Sequence, residues 1–134
     1  MGNNTWAETV GGKKAKTKVL GYRKVDGRKI SVEQLPDKAK HGFIGGNKEA
    51  YKALKIKSNI KRNEVIVCKG QGKATAKRTI QHEIIEEPLM RYFRKHERLS
   101  KINAYHKAHK LALKFEGTHK TPKEVLKWYK THSR

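Results

Sequence analysis

The fold of this chain is decided by residues 73–95, which read KATAKRTIQHEIIEEPLMRYFRK. Apolar side chains recur here at spacings of three and four, which predicts one amphipathic helix from near Lys73 to near Lys95. Pro88 interrupts it, and because proline removes a backbone hydrogen bond we expect a kink costing about 3 kcal/mol. The apolar stripe consists of Ile80, Ile84, Ile85, Leu89 and Phe93.

The residues before this helix have the pattern of strands and turns. Glu64–Cys68 is the most strand-like segment, and the Gly70-Gln71-Gly72 turn after it leads into the helix. Asp26-Gly27 separates two runs rich in β-formers, which predicts a hairpin. Asn47 is positioned to cap a short helix.

Two more helices are predicted further along the chain. One runs from about Leu99 to Glu116 and is stopped by Gly117. The other covers residues 121–131 and begins at the capping box Thr121-Pro122-Lys123-Glu124. Strands followed by helices predict the α+β class, with a small β-sheet packed on two or three helices in a single domain over residues 17–134.

The chain carries a net charge of +21, from 33 Lys and Arg against 12 Asp and Glu in 134 residues. Self-repulsion of this size indicates a polyanionic partner, and nucleic acid is the partner that it favours. Residues 64–90 are neutral, with four basic and four acidic side chains, whereas the flanking segments are positive. Residues 1–16 are small, polar and basic, so we expect a disordered, flexible basic arm.

Composition also bears on the location of the protein. The single cysteine, Cys68, excludes an intramolecular disulfide and a cysteine-based zinc site. No apolar run approaches the length of a membrane span, and no apolar signal segment follows Met1. An anionic membrane surface is the alternative partner for a positively charged chain, and the C-terminal helix is the segment that could bind it. We expect no membrane partner, and a location in the cytoplasm or in a nucleoprotein particle such as a virion.

The neutral segment contains a candidate metal site. His82 and Glu86 are four residues apart, so on a helix they share one face and can reach a single cation. Glu83 lies beside them, where it can orient or deprotonate a metal-bound water. The pattern is that of an HExxH metalloprotease with the second histidine replaced by glutamate. A solvated helix face with an incidental histidine gives the same pattern, so the motif alone leaves both interpretations open.

The wider pattern resembles a small zincin-like family with the HExxE motif, found in phages, archaeal viruses and mobile elements. Its members have a strand, then a helix with HExxE and Leu-Met, then a helix with Tyr-x-x-Ala-His. The resemblance covers roughly residues 43–116 and implies that His82, Glu86 and His109 ligate a zinc ion, with Glu83 in the general-base position. The matching residues are Phe43–Gly46, Asn63–Val67, Arg78–Glu86, Leu89-Met90 and Tyr105–His109, with Ala112 and Glu116.

Basic side chains form rows that suit a line of phosphates. Helical spacing places one row on the long helix and repeats it on the next. Because lysines dominate, we expect contacts to the backbone of DNA or RNA with little dependence on base sequence. The residues predicted to contact nucleic acid are Lys13, Lys14, Lys16, Arg91, Arg94, Lys95, Arg98, Lys101, Lys107, Lys110 and Lys114.

Two functional hypotheses follow from the sequence. The charge favours a nucleic-acid-binding structural protein on a zincin-like scaffold, such as a virion or packaging component or a ribonucleoprotein subunit. Self-assembly or incorporation into a larger nucleoprotein complex would then be expected. The HExxE motif favours a small zinc-dependent hydrolase, a peptidase, with Glu83 as its catalytic residue. Either hypothesis allows one zinc ion as the cofactor.

Overall fold

The computed structural model describes residues 4–132. Within this range the protein has an α+β fold with a small mixed sheet, a separate two-stranded sheet and four helices. The elements are β1 (Trp6–Glu8), β2 (Lys14–Lys16), β3 (Lys18–Val25), β4 (Arg28–Leu35), β5 (Gly45–Asn47), α1 (Lys48–Ala53), β6 (Glu64–Cys68), α2 (Lys73–His96), α3 (Lys101–Phe115) and α4 (Pro122–His132).

The main sheet has the strand order β3-β4-β6-β5. β4 is antiparallel to β3 and parallel to β6, and β5 is an edge strand antiparallel to β6. All residues of β6 are buried, so its unbroken apolar run reflects burial on both faces of the sheet. Val65 and Val67 pack with Ile80 and Ile84 of α2, whereas Ile66 and Cys68 face the other side.

The long helix predicted from the apolar stripe is α2, and it continues through Pro88 as one helix. Its stripe divides between two layers. Ile80 and Ile84 contact the sheet, while Ile85, Leu89 and Phe93 pack with residues of α3 and α4. No helix in residues 4–132 is long and apolar enough to cross a membrane.

A row of alanines lets α3 approach α2 closely. Ala104, Ala108 and Ala112 are four residues apart, share one helix face and are all 0% exposed. Their methyl groups pack in the same core cluster as Leu89, Met90 and Phe93 of α2. His109 follows Ala108, so this close packing brings its imidazole to α2.

The prediction of a disordered arm over residues 1–16 is corrected by the structure, which describes this segment from Asn4 onward. β1 and β2 pair as an antiparallel hairpin, and the side chain of Ala7 is fully buried against the sheet. The turn uses Gly11 and Gly12 at positive φ, where glycine pays no Cβ penalty. Low apolar content suggested disorder, but the hairpin is anchored by polar contacts: Thr5 and Thr17 donate hydrogen bonds to Glu64 and Glu33.

The two glycines of β5 pack so closely against neighbouring side chains that a Cβ would not fit there. Substituting one of them therefore tests the fold. A Cβ on Gly46 would overlap the ring of Tyr51, which is 1% exposed and cannot move aside freely. We therefore expect Gly46→Ala to lower the free energy of unfolding by about 1–3 kcal/mol, the usual cost of overpacking. Urea denaturation followed by circular dichroism measures this. Gly117→Ala is the matched control, because nothing lies within 4 Å of its added Cβ. Equal stability of the two variants would contradict the placement of β5.

Candidate metal centre

The predicted metal ligands converge between α2 and α3. Nε2 of His82 lies 2.7 Å from Oε2 of Glu86, as the four-residue spacing predicted. Nδ1 of His109, on α3, lies 2.9 Å from the same oxygen and 3.1 Å from Nε2 of His82. The carboxylate of Glu86 is almost fully buried. Three potential ligand atoms from two helices therefore point at one another.

Two further residues fix the orientation of the imidazoles. Nδ1 of His82 lies 3.0 Å from Oε1 of Glu116, at the end of α3. A carboxylate at this nitrogen holds the ring and leaves Nε2 directed at the cluster, as is common for metal-ligating histidines. The ring of Tyr105 stacks on His109 with the centroids 5.2 Å apart. Each imidazole is thus held by one further residue besides Glu86.

Asn47 joins the edge strand to the carboxylates of α2. Its side-chain oxygen accepts a hydrogen bond from the backbone N–H of Ala50 and caps α1. Its amide nitrogen donates to Oε1 of Glu83 at 2.7 Å and to Oε1 of Glu86 at 3.2 Å. Because the oxygen is used in the cap, the amide nitrogen is directed at α2. One neutral side chain therefore binds the carboxylates of both Glu83 and Glu86.

The electrostatics of the cluster follow from burial and these contacts. Burial and the neighbouring charge of Glu86 raise the pKa of Glu83 to about 8. Burial alone would lower the pKa of His82, but the hydrogen bond with Glu86 and the charges of Glu83 and Glu86 raise it to about 9. Burial would raise the pKa of Glu86, yet its hydrogen bonds with His109 and His82 hold it below its usual value. A proton and a cation therefore compete for the same ring nitrogen of His82.

The cluster lies in a cavity of about 240 Å³. Apolar side chains such as Phe43, Leu54 and Leu113 line part of it, and Arg78 and Thr79 of α2 line another. His109 has 35% of its side chain exposed, so the cluster is reached from this side. The edge strand forms a wall: a Cβ on Gly45 would lie 3.0 Å from Oε2 of Glu83.

His82, Glu86 and His109 can hold a metal ion. Their ligand atoms all lie within 4.8 Å of one another. Two nitrogens that each ligate zinc at 2.0–2.1 Å lie at most about 4.2 Å apart, and the histidine nitrogens satisfy this at 3.1 Å. Two imidazoles and a carboxylate also form a donor set that suits zinc and similar divalent cations.

Sequence reasoning found the three residues of the cluster but not the residues that support them. Asn47 was predicted only as a helix cap, and its contacts with Glu83 and Glu86 span 36 and 39 residues of sequence. Glu116 was part of the family resemblance, without a role of its own. The signal that could have found it is spacing, because Glu116 lies seven residues after His109 on the same face of α3.

The predicted phosphate-contacting residues divide into two groups. Arg91 and Lys107 are engaged in ion pairs, with Glu87 at 2.7 Å and Glu97 at 2.5 Å. The predicted row on the long helix is shorter than expected, because α2 ends at His96 and Arg98 lies beyond it with a positive φ. The remaining predicted residues are exposed: Lys13, Lys14, Lys16, Arg94, Lys95, Arg98, Lys101, Lys110 and Lys114.

Comparisons of the chain with protein families, curated proteins and solved structures gave no match. The geometry of the site therefore carries the functional argument.

Proposed function

We propose that this protein is a small metal-dependent hydrolase with a zincin-like arrangement, acting on peptide bonds. The observation that carries the proposal is the convergence on one buried oxygen of Glu86, which lies within 2.9 Å of imidazole nitrogens from two different helices. Glu83 occupies the adjacent position of the helix, one residue from His82. The donor set lies in a cavity, and the buried carboxylate of Glu83 lines the same cavity.

The residues have distinct roles in this proposal. His82, Glu86 and His109 hold a zinc ion, which supplies Lewis-acid polarisation of the substrate carbonyl and of water. Glu83 is the general base, and the hydrogen bond from Asn47 fixes its carboxylate at the wall of the cavity. Glu116 is a positioning residue that holds the ring of His82.

A peptide substrate is supported by the position of β5. This strand pairs with β6 along one edge and is the last strand of the sheet, so its other edge is not paired within the sheet. Gly45 of the same strand lies against Glu83. Gly46 and Asn47 are buried and only Gly45 is partly exposed, so an extended peptide would meet this edge at Gly45, where main-chain hydrogen bonds would place its carbonyl groups beside the cluster.

Metal titration tests the ligand set. The full-length protein is stripped with a chelator and titrated with zinc chloride, and metal content is measured after dialysis. We expect about one zinc ion per chain. His82→Ala and His109→Ala should each weaken binding by about 100-fold or more, because an open site retains too few protein ligands.

The matched control is His106→Ala. His106 lies one turn before His109 on α3 but is exposed, so its removal should leave zinc binding unchanged. A protein that takes up no zinc, or a His106 variant as impaired as the His109 variant, would contradict the ligand assignment.

We also propose that the chain binds nucleic acid through its phosphate backbone, as a component of a packaging or ribonucleoprotein assembly. The net charge of +21 supports this second function. The exposed cations on β2, α2 and α3 support it further, because most of those predicted to contact phosphates have no acidic partner in the part of the chain that the structure describes. A hydrolase held on nucleic acid would combine the two functions.

A further inference from the structure

One face of the main sheet is only partly covered by the β1–β2 hairpin. The hairpin covers the end of β4 that bears Glu33 and Leu35, to which Thr17 and Ala7 are anchored. Toward the Asp26-Gly27 turn the same face is open. Tyr22 lies directly opposite Ser31 across the β3–β4 pair, so both project on this face, and Tyr22 is 58% exposed.

Two lysines stand opposite each other beside Tyr22. Lys24 and Lys29 are direct partners in the β3–β4 register, and both are exposed. Like charges directly opposite on neighbouring strands are destabilising. Neither lysine has an acidic partner at ion-pair distance among residues 4–132. A polyanion lying across the strands would relieve this repulsion.

The ring of Tyr22 and one of these lysines, Lys29, are already in contact. Nζ of Lys29 lies 4.5 Å from the centroid of the Tyr22 ring, on its face. The hairpin repeats this arrangement, with Nζ of Lys14 4.4 Å from the centroid of Trp6. Trp6 and Lys14 project away from the sheet, because the alternate residues Ala7 and Ala15 pack toward it. We call these five residues, Trp6, Lys14, Tyr22, Lys24 and Lys29, the aromatic-lysine face.

We propose that the aromatic-lysine face binds single-stranded nucleic acid, with bases stacked on Tyr22 and Trp6 and lysines on the adjacent phosphates. The proposal rests on the nucleic-acid function proposed above and assigns it a surface and a mode. Stacking needs unpaired bases, and it tolerates any base because every base has a π face. Tyr22 offers an exposed ring beside Lys24 and Lys29, and Trp6 offers a half-buried one. This surface fits a single strand better than a duplex, whose bases are already stacked.

The test compares a fluorescein-labelled oligodeoxythymidine of about 20 nucleotides, longer than the usual site sizes, with a duplex of the same length. Binding is followed by fluorescence anisotropy at one fixed salt concentration. We expect Tyr22→Ala to weaken single-strand binding by about 5-fold or more and to change duplex binding by less than about 2-fold. Tyr22→Phe keeps the ring and should bind like the unaltered protein.

A charge-matched pair of variants locates the phosphate contacts. Lys24→Ala with Lys29→Ala should weaken single-strand binding more than Lys110→Ala with Lys114→Ala, although each double variant removes two exposed charges. Equal effects of the two double variants would overturn the proposal, as would a Tyr22→Ala variant that binds the oligonucleotide normally. A loss confined to phosphatidylserine vesicles would assign the face to a membrane and overturn it as well. If the unaltered protein binds neither the single strand nor the duplex, the proposed nucleic-acid function is wrong. If it binds and the Tyr22→Ala variant binds equally well, only the assignment of this surface is wrong.

Discussion

Replacing Glu83 with glutamine will abolish peptide hydrolysis while zinc stays bound. The change removes the group that accepts a proton, and loss of a positioned general base lowers rates by about 100- to 10,000-fold. Glutamine keeps the shape of the side chain, and its carbonyl oxygen can still accept the hydrogen bond that Asn47 donates at 2.7 Å. The ligands His82, Glu86 and His109 are untouched. The measurement is the rate of cleavage of a denatured protein substrate, with zinc content determined on the same sample.

Glu124→Gln is the matched control for this variant. Glu124 is exposed on α4, where its carboxylate accepts the hydrogen bond from the N–H of Thr121 in a capping box that glutamine also satisfies. It should cleave at the rate of the unaltered protein. A Glu83→Gln variant that retained activity would show that the catalytic role lies elsewhere, even if the metal site is correct.

Duplex binding will weaken steeply with salt. Each phosphate neutralised by a cation releases condensed counterions, so log K should fall linearly with log salt by about 0.9 per contact. With six to ten contacts the affinity falls by about 10³- to 10⁵-fold between 50 and 200 mM salt. The measurement is anisotropy of a labelled duplex across this range of salt, for the full chain.

The structure distinguishes cations that are free to contact phosphates from cations that are held in ion pairs, and the two kinds can be compared at equal change in charge. Arg94 and Lys95 are exposed on α2, whereas Arg91 and Lys107 are held by Glu87 and Glu97. Replacing Arg94 and Lys95 with glutamine should make the slope less negative by about 1.8. The same replacement of Arg91 and Lys107 removes equal charge and should leave the slope nearly unchanged. Affinity independent of salt would remove the basis for the nucleic-acid function.

Local patterns in the sequence predicted most of the helical framework. The stripe from Ile80 to Phe93 gave the position of α2, and the capping box at Thr121 lies where α4 begins. The spacing of His82 and Glu86 predicted their contact because a helix places residues four apart on one face. These features depend on residues close in sequence, which is why they could be inferred without the fold.

Two features of the structure differ from the sequence-based expectations. Residues 4–16 contain little apolar surface, and their order comes from Thr5 and Thr17 reaching Glu64 and Glu33 across the sheet. Those contacts depend on where β4 and β6 lie in space, which no periodicity in the sequence reports. Arg98 has helical spacing from Arg94, but α2 ends before it with a local cap, in which the backbone N–H groups of Glu97 and Leu99 donate to the carbonyl of Phe93.

Because Asn47 has two roles, it couples the opening of helix α1 to the arrangement of the two acids of α2. Its oxygen caps a helix of only six residues, and its nitrogen holds the two acids of α2. A helix of six residues is not stable on its own and depends on its tertiary contacts. Each opening of α1 that moves Asn47 would also free Glu83 and Glu86 to repel each other. The order of the cluster is therefore tied to that of a helix that contributes none of its three residues.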